Sequence, residues 1–291
     1  MKKTAIISGA DKKYYPFLKN LIMSLEKTKC LEIADLCILD VEKDSSYLKE
    51  VSSYIHKIEK ARFSLKLSFS DTKDWYKLLT ERPFIKDYFP GYDNYIWLDA
   101  DTEVLSIDAI KNLIEATNIS ELAIVPEVNE SYVFNNKKFG IKKIFASIYK
   151  ISGWSFKNYN RYLRKGLGED LFFKPLFNNG VFCLKSESIL WNLWKAEYQG
   201  ALDKAKSSYG IKTDQLSLNK IIYENFTKIS ILDSTNNWII QKAEDLIKVD
   251  NIFVTPSFPR RKINILHYTN LSHNDCFYYR ENDIRKKLSI V

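Results

Sequence analysis

Two aspartates that directly follow an apolar strand are the residues of this sequence best suited to chemistry. The segment YDNYIWLDADTEVLS, residues 92–106, runs from a predicted strand at Tyr95–Leu98 into Asp99-Ala100-Asp101. In open α/β sheets, ligands collect outside the carboxyl ends of strands, and a turn there can aim both carboxylates at one cation. Carboxylate oxygens suit Mg²⁺ or Mn²⁺, which can bridge the phosphates of a nucleotide. The alternative is structural: two acids that cap the strand and a following helix.

The elements that must position this pair follow from hydrophobic periodicity. A strand is predicted at Thr4–Gly9, and the helix after it has apolar residues every three or four positions. An aromatic helical stretch is predicted from Asp74 to Phe89, and a charged helix near residues 47–51. The other predicted strands are Leu36–Val41, Tyr54–Ile58, Leu122–Val125, Gly180–Leu184 and Ile263–His267. Strands that alternate with crossover helices indicate the α/β class.

Composition excludes a disordered chain, because 17 Phe, 18 Tyr and 6 Trp among 291 residues can build a large core. The length allows one large domain or two small ones. The sequence contains no internal repeat and no Pro/Gly-rich linker. We therefore expect one domain over residues 1–291, with a basic aromatic helical insertion at about 136–166 and a C-terminal extension after about 270.

The charge balance indicates a polyanionic partner. The 44 basic and 36 acidic residues give a net charge of +8, which suits a nucleotide phosphate, anionic lipid or nucleic acid. The insertion at 136–166 has nine basic residues, no acidic residue and interleaved aromatic rings. Its apolar residues Ile141, Ile144, Phe145, Ile148 and Ile151 would share one helical face. This segment would bind a membrane surface or an acceptor substrate of the protein, or it would be a helix packed on the core with its lysines in water.

Cysteine usage and the N-terminal sequence suggest the compartment. The four cysteines are too scattered for a zinc pattern and too few for a disulfide framework. The first residues lack the apolar stretch of a secretory signal peptide, and no apolar run approaches the roughly 18 residues of a membrane span. We expect a cytoplasmic protein, with peripheral contact at the inner face of the membrane as an option.

Five segments in order resemble those of retaining, metal-dependent glycosyltransferases with the GT-A fold, of the glycogenin and lipopolysaccharide galactosyltransferase type. Besides YIWLDADTEV they are AIISGADKKYYPFLKNLIMSL, FNNGVFCLKSES, TDQLSLNKII and ILHYTN. The resemblance implies a Rossmann-like GT-A nucleotide-diphospho-sugar transferase fold with a mixed central sheet. It also implies transfer of a hexose from a UDP-sugar to a hydroxyl of a glycan, glycolipid or protein acceptor, in cell-surface glycan or lipopolysaccharide synthesis.

The same resemblance implies a metal site. Asp99, Asp101 and His267 would hold the ion, with Asp99 also near the ribose and Asp101 bridging to the diphosphate. The chain has only three histidines, and His267 ends an apolar strand. Because imidazole suits Mn²⁺ better than Mg²⁺, the set favours manganese over magnesium. The alternative for His267 is a hydrogen-bonded histidine at a strand end.

The donor nucleotide would contact the first strand and its loop. Ser8, Ala10 and Tyr14 or Tyr15 occupy the positions where the family contacts uracil and ribose, and a tyrosine ring there can stack on the base. Alternatively, both tyrosines belong to the core of the first helix.

Two cations precede the aspartate pair, where the family often keeps a cation for the donor phosphates. Arg82 and Lys86 are four residues apart on the predicted aromatic helix, so they share one face and both could reach a diphosphate. The alternative is a solvated helix face.

The resemblance also implies the sugar pocket and the reaction centre. Asn178, Asn179 and Gly180 would line the pocket, since amides bond hydroxyls and glycine lets the backbone come close. Asp214 and Gln215 would contact the donor sugar or the acceptor hydroxyl. The alternatives are an ordinary turn at Asn-Asn-Gly and a helix start at Thr213-Asp214.

The sequence departs from the family after the HY segment. The family usually continues with a glycine and a K-P-W element whose lysine holds the diphosphate, whereas this chain runs HYTNLSHNDCFYY with no lysine before Lys286. The cation for the leaving group would then come from elsewhere: Arg260, Arg261, Lys262, Arg280 or His273.

Two other functions are compatible with the sequence. A nucleotidyltransferase also places metals on two carboxylates at a strand end, but it usually has a glycine-rich phosphate loop, and only Gly9 lies near the end of the first strand. A nucleic-acid-binding protein would use the basic segment at 136–166. No recognition motif accompanies that charge, so no nucleic-acid partner is expected.

Overall fold

The computed structural model describes residues 3–132, 154–242, 246–269, 276–281 and 284–289. Its strands are β1 (Thr4–Ser8), β2 (Asp35–Asp40), β3 (Lys57–Lys60), β4 (Asn94–Leu98), β5 (Thr102–Val104), β6 (Leu122–Pro126), β7 (Phe177–Lys185), β8 (Ile229–Ile231), β9 (Trp238–Ile239), β10 (Leu246–Val249), β11 (Ile252–Val254), β12 (Ile265–His267), β13 (Cys276–Glu281) and β14 (Ile284–Ser289).

Its α-helices are α1 (Tyr15–Lys27), α2 (Tyr76–Thr80), α3 (Ile85–Tyr88), α4 (Asp108–Ile119), α5 (Trp154–Asn158), α6 (Leu167–Asp170), α7 (Leu190–Asp203) and α8 (Asp214–Glu224). The 3₁₀ helices are Cys30–Glu32, Ser45–Tyr54, Arg82–Phe84, Ser208–Thr213, Phe226–Lys228, Ser234–Asn236 and Ile240–Lys242. A π-helical turn spans Tyr159–Leu163.

Seven of these strands form a mixed sheet in the order β3-β2-β1-β4-β7-β6-β8. Strands β1 to β4 are parallel, and β7 runs antiparallel to both β4 and β6. The strands β1 and β4 are almost continuously apolar because helices cover both faces, as expected of a buried parallel sheet. The predicted α/β class with a mixed central sheet is confirmed.

The core divides between the two faces of the sheet, since side chains alternate along each strand. Ile6, Ile38 and Ile96 pack with α1 and α4 on one face. Trp97 packs on the other face with Trp191 and Trp194 of α7. The predicted stripe of α1 is buried as expected: Phe17, Leu18, Leu21, Ile22 and Leu25. The helices therefore hold the carboxyl ends of β1 and β4 at one edge.

A small second sheet, in the order β5-β12-β9, lies at that edge. Strand β5 begins directly after Asp101 and pairs antiparallel with β12, which places His267 opposite Thr102. Strand β9 pairs parallel with β12 on its other side, with Ile239 opposite His267. This pairing brings the late part of the chain to the aspartate pair.

A third sheet has the order β11-β10-β13-β14, and it joins two strands before the predicted boundary at about residue 270 to two strands after it. Strands β10 and β13 are parallel, and β13 and β14 form an antiparallel pair. The predicted single domain, with its insertion and extension, stays a prediction.

The stretch predicted as one helix from Asp74 to Phe89 consists of three short pieces: α2, the 3₁₀ helix Arg82–Phe84 and α3. Pro83 lacks a backbone N–H and cannot continue an α-helix, so a 3₁₀ helix interrupts the α-helical stretch there. Arg82 and Lys86 consequently do not share one regular helix.

The predicted basic insertion is described only from residue 154 onward, and its apolar face at 141–151 lies outside the described residues. In the described part, Tyr159, Tyr162, Leu163 and Leu167 are buried against Leu216 of α8. Arg164 pairs with Asp170. From residue 154 onward the segment therefore packs on the core with its charges outside, which is the structural alternative for this part of the insertion.

Candidate functional site

A cleft of about 1140 Å³ opens at the carboxyl edge of β1 and β4. It is lined from several parts of the chain: the loop after β1, the Asp99–Asp101 turn, the start of β7, the start of α8 and the segment after β9. This edge is where open α/β sheets bind ligands.

Asp99, Asp101 and His267 meet in this cleft. One ligand atom from each lies within 4.8 Å of the others. His267 Nε2 is 3.4 Å from Asp101 Oδ1 and 3.9 Å from Asp99 Oδ2. The turn that presents the aspartates is held by two backbone bonds, from Thr102 N–H to the Asp99 carbonyl at 3.1 Å and from Tyr268 N–H to the Asp101 carbonyl at 2.8 Å.

Asp101 and His267 shift each other's pKa. Burial opposes ionisation of Asp101, but the nearby His267 imidazole leaves the pKa of this carboxyl lowered. Burial likewise opposes a charge on His267, and Asp101 nevertheless raises the pKa of the imidazole. Two carboxylates and a histidine that hold each other in this way are a ready-made cation site.

The donor set fits Mn²⁺ or Mg²⁺. Neighbouring ligands of one octahedral ion with bonds of about 2.1 Å lie roughly 3 Å apart, and the observed separations of 3.4 and 3.9 Å are somewhat longer than this. Gly180 keeps the space open: a Cβ at this position would lie 2.5 Å from His267 Cε1 and 2.6 Å from Asp99 Oδ2. A residue larger than glycine would therefore collide with two of the three ligands, Asp99 and His267.

Arg82 connects this set to the start of α8. Its guanidinium is buried and bonds Asp99 Oδ1 through Nη2 and Asp214 Oδ2 through Nη1, the latter at 2.5 Å. Trp97 Nε1 donates to the same Asp99 oxygen at 2.7 Å, and Asn179 Nδ2 donates to Asp214 Oδ2 at 2.8 Å. With Oδ1 of Asp99 occupied in this way, Oδ2 is directed toward His267.

Electrostatics act differently on Arg82 and on Asp214. Burial works against the charge of Arg82, but Asp99 and Asp214 together raise the pKa of the guanidinium. The pKa of Asp214 is raised because burial outweighs the attraction of Arg82. Arg82 was predicted as a cation for the donor phosphates. The structure places it in the cleft, where both of its terminal nitrogens already bond carboxylates.

Lys86 does not lie with Arg82. Its Nζ donates to the carbonyl of Ser186 at 3.2 Å, directly after the carboxyl end of β7. Because β7 is antiparallel to β4, that end lies at the edge of the sheet opposite the cleft. The prediction that both cations face a diphosphate is wrong for Lys86, since the break at Pro83 removes the shared helix face.

The loop after β1 contributes Ala10 and Tyr14 to the cleft. Tyr14 is 38% exposed, so its ring is available to a ligand. Tyr15 instead packs edge-on against Tyr47. Ser8 is fully buried within β1, because the strand continues to this residue and the chain reaches the cleft only after it. The predicted ligand contact of the Ser8 side chain is therefore corrected.

The predicted sugar-pocket residues Asn178, Asn179 and Gly180 lie inside β7, not in a turn, and both amides line the cleft. Asp214 begins α8, but its carboxylate bonds Arg82 and Asn179 instead of capping the helix. Gln215 lines the cleft beside it. The structure thus gathers the predicted reaction-centre residues around one space.

Glu127, Lys242 and Asn237 are site residues that sequence reasoning missed. Glu127 Oε1 accepts from Asn178 Nδ2 and from Gln215 Nε2, each at 3.0 Å, and its Oε2 accepts from Lys242 Nζ at 2.5 Å. Burial opposes ionisation, but Lys242 and the two amides leave the pKa of Glu127 lowered. The only available signal was that Glu127 lies two residues after the predicted strand Leu122–Val125.

Of the five residues predicted to replace the family lysine, the four that the structure describes lie outside the cleft lining. Arg261 pairs with Asp233 and Glu130, and Lys262 pairs with Asp108, all away from the cleft lining. Arg260 lies over the Phe258 ring, Arg280 belongs to β13 outside the lining, and His273 falls outside the described residues. The lysines that do line the cleft are Lys13, Lys73, Lys212 and Lys242.

Among the described residues, no helix combines the length and apolar character that a membrane crossing requires. The predicted peripheral membrane contact and the cytoplasmic location stay predictions.

No protein-family model and no curated protein matches the sequence significantly. Its structure is nevertheless similar to solved sugar transferases. The galactosyltransferase LgtC, in complex with donor and acceptor sugar analogs, aligns with a TM-score of 0.51 and 13% identity over 91% of this chain and 87% of that one. The bifunctional glycosyltransferase WbbM aligns with a TM-score of 0.54 and 14% identity over 93% of this chain and 46% of that one. Mouse xyloside xylosyltransferase 1 aligns with a TM-score of 0.50 and 13% identity over 93% of this chain and 98% of that one.

At such identities the likeness establishes the fold. The chain has the GT-A fold of nucleotide-diphospho-sugar transferases, and the predicted fold class is confirmed.

Proposed function

We propose that this chain is a metal-dependent glycosyltransferase that moves a hexose from a UDP-sugar to an acceptor hydroxyl. One observation carries the proposal: Asp99, Asp101 and His267 converge at the carboxyl edge of a GT-A sheet, inside a cleft large enough for a nucleotide sugar. The fold shared with three sugar transferases supports it. The acceptor is a glycan, glycolipid or protein.

Asp99, Asp101 and His267 would hold Mn²⁺, or Mg²⁺ in its place. When bound, the ion neutralises charge that develops on the departing diphosphate. Arg82 fixes the orientation of Asp99, and the exposed Tyr14 ring can stack on a base at the loop after β1.

Donor sugar hydroxyls bond the Asn178 and Asn179 amides and Asp214, and the acceptor approaches beside Gln215 and Glu127. The lysines that line the cleft supply the cation for the leaving group in place of the missing family lysine. Configuration at the anomeric carbon is retained, with the leaving phosphate oxygen accepting the proton of the acceptor hydroxyl.

The experiment is UDP release from a set of UDP-hexoses, with and without Mn²⁺. We expect release that requires the metal, and Asp101→Ala should abolish it while the protein stays folded, because Asp101 lies outside the Arg82 bridge. Asp108→Ala is the matched control: this half-exposed acid pairs with Lys262 outside the cleft and should leave turnover unchanged. Undiminished turnover in the Asp101 variant would remove the metal assignment. Release of pyrophosphate from nucleoside triphosphates, with no UDP from any UDP-sugar, would favour a nucleotidyltransferase instead.

A further inference from the structure

We propose that Asn178 and Asn237 form a hydrogen-bond relay that holds His267 with its proton on Nδ1, so that the lone pair of Nε2 faces the metal. The inference rests on the metal site of the proposed function and assigns positioning roles to two amides. A neutral imidazole has two tautomers, and only one of them presents an unprotonated Nε2.

The relay begins at two groups whose roles as hydrogen-bond donor and acceptor are fixed. The backbone N–H of Gly180 donates to Asn178 Oδ1 at 2.9 Å. On the other side of the same amide, Nδ2 lies 3.0 Å from the carboxylate of Glu127, which Lys242 and Gln215 also contact. A backbone N–H can only donate and a carboxylate can only accept. The Asn178 amide therefore has a single orientation that satisfies both neighbours.

The second amide takes its orientation from the first. Asn237 lies 3.1 Å from Asn178 Oδ1, which is an acceptor, so Asn237 must present its Nδ2 there. Its Oδ1 then lies 2.8 Å from His267 Nδ1. Because a carbonyl oxygen can only accept, the imidazole must carry its proton on Nδ1.

The opposite nitrogen of the ring is the one that faces the aspartates. Nε2 lies 3.4 Å from Asp101 Oδ1 and 3.9 Å from Asp99 Oδ2. A reversed tautomer would direct an N–H at the place of the cation and leave two lone pairs facing each other at Asn237. The relay thus decides which ring nitrogen can bind a metal.

Burial makes this orientation hard to escape. Asn237 and His267 are each 1% exposed, so water cannot replace a lost bond cheaply. Asn237 directly precedes β9, which pairs with β12 and so holds the two side chains on neighbouring strands. Groups that bond the second nitrogen of a metal-binding histidine orient the ring and raise its basicity.

A matched control lies next in sequence. Asn236 is also buried, and its Oδ1 accepts from the amides of Asn112 and Asn264, but it is outside the relay. Asn236→Ala therefore removes a buried amide of the same kind without touching His267. Any loss of metal affinity due only to a weakened fold would appear in this variant as well.

The first measurement is Mn²⁺ affinity of the full chain, by electron paramagnetic resonance or calorimetry, with thermal unfolding as the check on folding. We expect Asn237→Ala to weaken Mn²⁺ binding by about 10–100-fold, the usual effect of removing such a partner, and Asn236→Ala to leave it unchanged. Asn237→Asp retains an acceptor for Nδ1–H and should recover most of the lost affinity. Equal affinity in wild type and Asn237→Ala would overturn the relay, as would an Asp variant as weak as the Ala variant.

The second measurement reads the tautomer without any enzymatic assay. The chain has three histidines, so ¹⁵N-histidine labelling gives a simple spectrum. With diamagnetic Mg²⁺ bound, we expect His267 to be protonated on Nδ1 in wild type and in Asn236→Ala. A proton on Nε2 would overturn the relay. If wild-type protein binds neither Mn²⁺ nor Mg²⁺, the metal site of the proposed function is wrong, whereas metal binding that ignores Asn237 disproves the relay alone.

Discussion

Asp40 and the Asp99–Asp101 pair occupy matching places on the sheet and have different surroundings. Asp40 ends β2 and Asp99 follows β4, two parallel strands on either side of β1. The Asp40 carboxylate accepts four bonds, from Glu42 N–H, Ser45, Tyr47 and Lys60, at 2.6 to 2.9 Å. Asp101 Oδ1 and Asp99 Oδ2 instead lie 3.4 and 3.9 Å from His267 Nε2.

This difference separates a structural carboxylate from one available to a ligand. Asp40 has enough donors of its own to satisfy an ionised carboxylate, so it stabilises the loop after β2. The separations around His267 suit a cation held between the groups. A strand-end aspartate is therefore recognised as functional by its neighbours, which come from distant parts of the chain.

The largest expected effect concerns Arg82, which already bonds the carboxylates of Asp99 and Asp214. Arg82→Met leaves Asp99 and Asp214 buried without their shared partner, and removing one partner of a buried ion pair costs about 3–5 kcal/mol of unfolding free energy. Urea denaturation measures this loss. The control is Arg164→Met, whose pair with Asp170 is more than half exposed and should cost under about 1 kcal/mol. Equal losses in both variants would show that Arg82 is no structural bridge.

An intermediate effect concerns the space between the ligands. Gly180→Ala puts a methyl group against His267 and Asp99, so it should lower stability by about 1–3 kcal/mol and weaken Mn²⁺ binding. In Gly200→Ala, on α7, a Cβ has no neighbour within 4 Å, and the helix should gain about 0.5–1 kcal/mol. Chemical denaturation of both variants checks that Gly180→Ala lowers the free energy of unfolding and Gly200→Ala raises it, and Mn²⁺ titration compares their metal affinities. Unchanged metal affinity in Gly180→Ala would contradict the close approach.

The smallest effect concerns Asp40. Burial opposes its charge, but Lys60, Ser45, Tyr47 and the Glu42 N–H together lower its pKa below the ordinary 3.8. Because the folded-state pKa is the lower one, the stabilisation is complete above about pH 3.8 and is lost as the pH falls through the folded-state value.

We expect Asp40→Asn to lose on the order of 1 kcal/mol at neutral pH, since Lys60 is half exposed and water screens the pair. The difference from wild type should disappear in acid, as measured by denaturation across pH. Mn²⁺ affinity should stay unchanged in this variant. A metal defect in Asp40→Asn would contradict the division between the two regions.

Sequence periodicity located most of the central strands, because apolar runs of four to six residues between helical segments have few other uses. It also placed Asp99 and Asp101 at a strand end, and motif order brought His267 into consideration. It failed at Lys86, where spacing of four residues was read as one helix face although Pro83 divides the helix. It also assigned a ligand contact to Ser8, whose side chain is buried within β1.

Glu127, Asn237 and Lys242 could not be found in this way. Each belongs to no motif, and their positions depend on which strands pair: β6 beside β7, and β9 beside β12. The described candidates for the leaving-group cation, Arg260, Arg261, Lys262 and Arg280, lie outside the cleft lining for a related reason, since proximity in sequence to His267 does not place a side chain in the cleft.

The sequence alone determined the class of fold and the chemical types at the candidate site, because strand patterning and the order of short motifs are local properties of the chain. Only the tertiary structure decided which groups are already satisfied and which remain available to a ligand. That distinction depends on hydrogen-bond partners far apart in sequence, such as Arg82 and Asp214, which are 132 residues apart. Such pairs follow from strand order and helix packing, which no local pattern specifies.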